Sequence, residues 1–435
     1  MNSRLFGKEL RTRQSQKTCL VTDNNLDDFA FCVVMGSEGK YLDRMTMMNV
    51  IRMAGAVLLL AGIAGCSSRP ANDQDTISTG KAVTETVFTE KIKPEYAEGF
   101  EIRYEGDMAL VDIHDPQSEN VAEYHYALVR RGDASTVVPE GYEKLEIPVR
   151  SVICMTSLQL SNFIKLGITE RVTGITSTRH LFNETMNRQL ESGKTVKIGI
   201  EGNFDNEAVM SMNPDLILIS PFKRGGYEAL KDVGIPLVPH LGYKEMTPLG
   251  QAEWIKFVGL LCGMEKEANA CFEAIEQRYQ ELKALTADGK VKRRPVVFSG
   301  ELRGGNWYAV GGKSFLAQLF KDAGADYFLK DDERSGGVTL DFETVYNQAD
   351  NADYWRIVNS YPGDFSYEAL KDQDARYADF KAFREHGIIY CNMKTTPFYE
   401  EMPTAPEVIL ADLLHIFHPE LLPDHQPVFY KLLKK

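Results

Sequence analysis

The sequence predicts an α/β protein: two α/β lobes joined by a long helix, with a β-hairpin or small meander ahead of them. Three observations carry this expectation. Near-continuous apolar strands such as Asp215-Leu-Ile-Leu-Ile-Ser220 alternate with helical segments, which implies a parallel sheet covered on both faces. The alternation is interrupted by a predominantly helical region from Pro248 to about Leu285, and it restarts after Arg294-Pro295.

Taken in order, residues 1–47 are polar and mixed in charge, and are read as a mis-called upstream segment with the true start at Met45, Met47 or Met48. Residues 48–66, MNVIRMAGAVLLLAGIAGC, have a short basic start at Arg52, an apolar run from Met53 to Ile63 and small residues before Cys66. That is the layout of a secretory signal peptide, and the run is shorter than the about 20 residues a membrane span needs. The Ile-Ala-Gly-Cys66 ending resembles the lipobox of bacterial lipoproteins. It implies a mature chain that starts at Cys66, carries lipid on that sulfur and sits outside the cytoplasmic membrane. Residues 67–95 begin rich in Ser, Thr, Asn, Asp and Lys and read as a disordered tether.

The folded part divides into a β extension (96–147), an N-terminal lobe (148–247), a helical region with the inter-lobe helix (248–288) and a C-terminal lobe (289–435). In the extension, Phe100–Tyr104, Met108–Ile113 and Tyr124–Arg130 alternate as strands. In the first lobe, strands at Ser151–Met155, Val172–Thr176, Lys197–Ile200, Asp215–Ser220 and Pro236–Pro239 are interleaved with helices at Leu158–Leu166, Asn206–Met212 and Tyr227–Val233. Gly263 breaks the central helical region, and Ala268, Cys271, Phe272, Ile275, Tyr279 and Leu282 recur at helical spacing beyond it. The second lobe has strands at Val296–Ser299, Asp353–Val358 and Gly387–Cys391. Its helices fall at Ser314–Ala323, around Thr344–Asn347, at Tyr377–Glu385 and at Glu407–Phe417.

The net charge of −13 offers no basic surplus to neutralise phosphates, so nucleic acid is excluded as a partner. Cys154, Cys262, Cys271 and Cys391 sit in apolar runs and read as buried thiols. Pairing of Cys262 with Cys271 is left open, since an exported protein permits disulfides. No C-x-x-C, G-x-S-x-G or H-E-x-x-H occurs, and Trp307 stands where a P-loop ending in Gly312-Lys-Ser314 needs glycine. His415 and His418 are too weak a pair to predict a metal site, and no catalytic residues or cofactor are expected.

Two motifs name a resemblance. Gly202-Asn-Phe-Asp-Asn-Glu207 running on to Asn213-Pro214-Asp215-Leu-Ile-Leu-Ile, and Trp307-Tyr-Ala-Val-Gly311-Gly312-Lys-Ser314, resemble segments of the substrate-binding proteins of ABC importers for iron–siderophore, haem and cobalamin. The resemblance runs from about Pro148 to Leu433. It implies two Rossmann-like lobes joined by a long rigid α-helix, and a monomer that delivers its ligand to an ABC permease dimer in the cytoplasmic membrane. It also implies one permease-docking glutamate on each lobe, Glu207 and Glu343; a carboxylate suits that task because it accepts an arginine fork in an oriented pair.

Ligand is expected between the lobes, at the carboxyl ends of the strands. The loops there offer Thr156, Ser157, Arg179, His180, Phe222, Lys223, Arg224 and Tyr243 from the first lobe. The second offers Arg303, Trp307, Tyr308, Lys394, Phe398 and Tyr399. Aromatic faces and guanidinium groups suit a large anionic chelate. A ferric siderophore is the leading cargo, haem or cobalamin the alternative, and a surface chelatase or sensor using the same cleft the reading from another class. His180, Tyr308 or Tyr399 would serve as an axial ligand for haem. A helical hinge is stiff, so closure on ligand is expected to be small.

Overall fold

The computed structural model describes residues 88, 90–118, 124–176, 178–200, 203–221, 227–231, 234–287 and 290–434. The signal and lipobox at 48–66, the tether up to residue 87, and Phe222, Lys223 and Arg224 lie outside the described residues. No described helix is long and apolar enough to cross a membrane.

The extension is a four-stranded sheet. Strands β1 (Phe100–Glu105), β2 (Met108–Ile113) and β3 (Tyr124–Arg130) form an antiparallel meander, and β4 (Glu143–Ile147) pairs parallel to β3. The sequence expectation stops at three strands because β4 offers only two buried apolar side chains, Leu145 and Ile147.

In the first lobe the order is β5 (Val152–Cys154), α1 (Ser157–Lys165), β6 (Val172–Ile175), α2 (Glu184–Glu191) and β7 (Val196–Lys197). A two-residue hairpin, β8 (Gly199–Ile200) and β9 (Asn203–Phe204), leads to α3 (Asn206–Met212), β10 (Leu216–Ile219), α4 (Glu228–Lys231) and β11 (Leu237–Pro239). The five-stranded sheet runs β11-β10-β5-β6-β7, every pairing parallel. Local chemistry sets the helix limits. Thr156 and Gln159 form a capping box at the start of α1, and Asn213, at φ 43°, ends α3.

Helix α5 (Pro248–Cys262) starts on Thr247, whose hydroxyl accepts the Gly250 N–H, and stops at Gly263 in the left-handed region. All 15 of its residues are buried. Leu249, Ala252 and Ile255 enter the core of the second lobe, whereas Trp254, Phe257, Val258 and Leu261 enter the core shared by the first lobe and the extension. One helix is therefore common to both cores. Helix α6 (Glu265–Lys283) packs along it, with Phe272, Ile275, Tyr279 and Leu282 in the second core.

The extension is fastened to α5 by two buried carboxylates. Glu253 accepts the backbone N–H groups of Glu95, Tyr96 and Ala97 at 2.7 to 3.0 Å, and Lys256 donates to it at 2.7 Å. Glu245, just ahead of α5, accepts the N–H groups of Glu98 and Gly99 and the indole N–H of Trp254. Charge-assisted bonds of this kind are stronger than neutral ones.

The second lobe contains β12 (Val296–Ser299), β13 (Glu301–Arg303), β14 (Asn306–Val310), α7 (Phe315–Asp322), β15 (Asp326–Tyr327), β16 (Gly337–Leu340) and α8 (Phe342–Ala349). It continues through β17 (Tyr354–Asn359), α9 (Tyr367–Gln373), α10 (Lys381–Arg384), β18 (Ile388–Asn392), α11 (Phe398–Glu401), α12 (Pro406–Phe417) and β19 (Lys431–Leu432). Its main sheet is β15-β12-β17-β18-β19, parallel except for β19, and a side sheet β13-β14-β16 is antiparallel. The expected single helix at Tyr377–Glu385 is instead a 3-10 turn (Ala375–Asp379) followed by α10. Phe380 between them is extended and fully buried, its ring 4.9 Å from Phe298 and 5.5 Å from Trp355, so aromatic packing overrides helical continuity. Cys154, Cys262, Cys271 and Cys391 are free thiols.

Candidate ligand-binding cleft

Strands β12 and β17 pair in parallel with Ser299 opposite Arg356, so their carboxyl ends open on the same side. Along β17, Trp355 and Ile357 point into the core, which leaves Arg356 on the opposite face. Gly300, Glu301, Arg303, Tyr308, Arg356 and Val358 line a small depression there. Gly300 has φ 101°, and a Cβ on it would lie 2.0 Å from the Tyr308 carbonyl oxygen, so only glycine lets the chain turn here.

The guanidinium of Arg356 donates to the Tyr430 hydroxyl from Nε at 3.0 Å and from Nη2 at 2.7 Å. Arg303 pairs with Glu301 at 3.3 Å, and the other Glu301 oxygen accepts the side-chain N–H of Asn359 at 3.0 Å. Burial pushes the Tyr399 phenol up, and the charges of Arg356 and Arg303 work against that shift. Of the sequence candidates, Arg303, Tyr308 and Tyr399 thus gather in one cationic, phenolic cluster. Arg356 is the member that sequence reasoning missed; a lone arginine inside the apolar run Tyr354-Trp-Arg-Ile-Val358 was the available signal.

In the first lobe, Thr156 and Ser157 sit at the end of β5, both half-buried. The Gln159 amide beneath them donates to Ser220 Oγ at 3.0 Å and ties the ends of β5 and β10 together. Tyr243 donates to the Pro221 carbonyl at 3.4 Å. Arg179 is exposed, and His180 beside it reaches the second lobe, with Nε2 at 3.4 Å from Ser360 Oγ. Burial, then the charges of Arg179 and Lys394, hold the His180 imidazole below its ordinary value, with a bond to the Met393 backbone opposing them. Lys394 is exposed on the turn after β18.

Two candidates are packed into the interior. Trp307 is fully buried, packed against Phe298, Trp355, Phe342, Tyr377 and Phe380, with its indole N–H on the Ser299 carbonyl at 3.0 Å. Strand alternation turns it inward while Tyr308 turns out. Phe398, 5% exposed, is spent against Tyr399, Phe429 and Tyr430.

Glu207 and Glu343 are exposed and occupy equivalent places. Each lies in the first turn of its helix, two residues after an aspartate cap: Asp205 accepts the Ala208 N–H at 3.0 Å and Asp341 the Thr344 N–H at 2.7 Å. The helix dipole stabilises both acids there. His240, a strand-end histidine, is buried against Trp254 and hydrogen-bonded to Asn162 at 3.1 Å. Among the described residues, no three His, Cys, Asp or Glu side chains are grouped to hold a metal ion.

A family model described as periplasmic binding protein matches residues 152–395. This chain belongs to that family. Its members are solute-binding proteins of ABC importers, not enzymes. An uncharacterized lipoprotein of Methanocaldococcus jannaschii, MJ0878, is 23% identical over 407 residues, 86% of this chain and 94% of its own length. Among solved structures, a periplasmic heme binding protein from Pseudomonas aeruginosa is similar at 18% identity and TM-score 0.52, covering 66% of this chain and 99% of that one. The TroA-like periplasmic binding protein FepB from Veillonella parvula is similar at 18% identity and TM-score 0.50, covering 67% and 96%. These likenesses give the periplasmic binding protein fold: two α/β lobes and a linking helix. The match begins at β5, so the four-stranded extension lies outside it.

Proposed function

We propose that this periplasmic binding protein is anchored by lipid at Cys66 outside the cytoplasmic membrane, captures a ferric chelate of the siderophore type and delivers it, as a monomer, to an ABC permease dimer. The observation that carries the cargo reading is the cluster of Arg303, Tyr308, Arg356 and Tyr399 at the carboxyl ends of β12 and β17 in a chain of net charge −13. Two guanidinium groups hold carboxylate or catecholate oxygens, and phenol rings cover the apolar faces of the chelate. In this reading the metal arrives already coordinated by the chelate. Glu207 and Glu343, one on each lobe, dock on permease arginines. Lipidation of Cys66 has a parallel in the relative named a lipoprotein.

Haem is the second reading. His180 stands where the two lobes meet, with Nε2 at 3.4 Å from Ser360 Oγ, and burial lowers the ring's pKa, which favours the neutral form that ligates iron. Titrating the full chain with ferric enterobactin, ferrichrome and haemin, followed by tryptophan fluorescence and visible absorption, separates the two. Saturable quenching by a ferric siderophore supports the first reading. A Soret shift that disappears in His180→Ala supports the second. Turnover of any of these chelates would instead favour a chelatase.

A further inference from the structure

The segment between β6 and α2 carries Arg179 and His180, and its end is held both by its own lobe, where Asn187 donates to the Leu181 carbonyl at 3.3 Å, and by the other lobe. Glu400, in α11 of the second lobe, is 2% exposed. Its Oε1 accepts the Phe182 N–H at 2.7 Å and its Oε2 accepts the Asn183 N–H at 3.0 Å. Asn183 in turn caps α2, its side chain accepting the Met186 N–H at 3.0 Å. A second contact runs beside it, Ser161 Oγ to Thr404 Oγ1 at 3.0 Å, between α1 and the turn after α11. One carboxylate of the C-terminal lobe therefore fixes both the end of the His180 loop and the start of α2.

We propose that Glu400 is a positioning residue that carries the Arg179–Asn183 loop of the first lobe on the second, so that parting the lobes withdraws Arg179 and His180 from the cargo. The cargo clause rests on the binding function proposed above. Geometry makes the coupling strict. The two acceptor oxygens meet consecutive backbone N–H groups, so a relative shift of the lobes by the length of one hydrogen bond breaks both. Both bonds are half-buried and end on a carboxylate, which makes them stronger than neutral hydrogen bonds. Docking of the two lobes on a permease that spreads them would strip the loop from Glu400 and open the N-lobe wall of the cleft. The loop offers backbone N–H groups to Glu400. Glu401 on the same turn adds like charge, and Lys165 on α1 acts on Glu401. Burial is the larger cause that pushes the Glu400 carboxyl up to about 7, with the two backbone bonds opposing it.

The test is hydrogen–deuterium exchange on the full chain, parent against Glu400→Ala and Glu400→Gln. The Phe182 and Asn183 amides are expected to exchange at least tenfold faster in the alanine variant and by an intermediate factor in the glutamine variant, which keeps one acceptor oxygen. Protection in β10 and α5 should stay unchanged, which separates lost positioning from general unfolding. Stopped-flow dissociation of bound ferric enterobactin or haemin should be about tenfold faster in Glu400→Ala. Unchanged exchange at Phe182 and Asn183 in both variants overturns the proposal. So does faster exchange with unchanged chelate dissociation. If the parent chain binds neither chelate, the cargo reading fails, and the exchange result alone decides whether Glu400 holds the loop.

Discussion

The Tyr96 backbone N–H donates to the Glu253 carboxylate at 2.7 Å, which joins the start of the extension to the middle of the helix shared by both lobes. Glu253 is fully buried, and Lys256, 2.7 Å away, balances its charge. Tyr96 also lies against the ring of Phe272 in α6, at 5.9 Å, so one short stretch of chain touches both helices of the spine.

Glu253→Ala should lower unfolding free energy by about 3–5 kcal/mol, because it leaves the buried Lys256 ammonium without its counter-charge, with only the Lys93 carbonyl at 3.4 Å, and takes the acceptor from three half-buried backbone N–H groups. Denaturant unfolding measures this. Glu253→Gln, which keeps an acceptor, should cost less than the alanine change. A loss under about 1 kcal/mol for alanine, the level of an exposed pair, would mean that the extension is not fastened through this carboxylate.

Trp307→Ala should destabilise the second lobe by about 3–5 kcal/mol through the cavity it leaves. Chelate affinity, measured at a temperature where the variant remains folded, should change little. Weakened binding with unaltered thermal unfolding would return Trp307 to the cleft.

Glu207→Ala and Glu343→Ala, singly and together, should leave stability within about 0.5 kcal/mol, as for exposed positions. Chelate affinity should also be retained. Permease ATPase stimulation in proteoliposomes should fall with each change and further with both. Full stimulation by the double variant would remove these residues from docking.

His240 gives a pH dependence with a definite sign. Burial holds its imidazole down to about 3 in the folded chain, against 6.5 when unfolded. Above pH 6.5 the ring is neutral in both states and its contribution is fully present. As pH falls from 6.5 towards 3, the unfolded chain takes up a proton that the folded chain refuses, so stability is lost across that window at up to about 1.4 kcal/mol per pH unit. Chemical unfolding at pH 7, 6, 5 and 4 should show this slope, and His240→Phe should flatten it while lowering stability at pH 7 through the lost Asn162 partner. An identical slope in the variant would assign the acid sensitivity to other groups.

The lobe–helix–lobe order was legible because apolar strands, caps and breakers agree locally. Asn213-Pro214 ends α3, Gly263 ends α5, and Leu216–Ile219 is a buried parallel strand. Features set by distant partners were not legible. The strand β4 gains its place from pairing with β3, and the Phe380 break from rings brought in from β12 and β17. In the cleft, loop position alone located Arg303, Tyr308 and Tyr399, but strand alternation decided that Trp307 turns inward. Arg356 lay hidden in an apolar strand. Glu400 acts on a loop 217 and 218 residues away in sequence, which no local pattern records.

The most direct measurement of the central claim is chelate affinity of the full chain against its Arg303→Ala, Arg356→Ala and double variants. At about 1.5–3 kcal/mol for each charge-assisted contact, each single change should weaken binding by roughly 10- to 100-fold and the double change by more. An unchanged affinity in the double variant, or no binding of ferric enterobactin, ferrichrome or haemin by the parent chain, would contradict an anionic metal chelate held between the lobes.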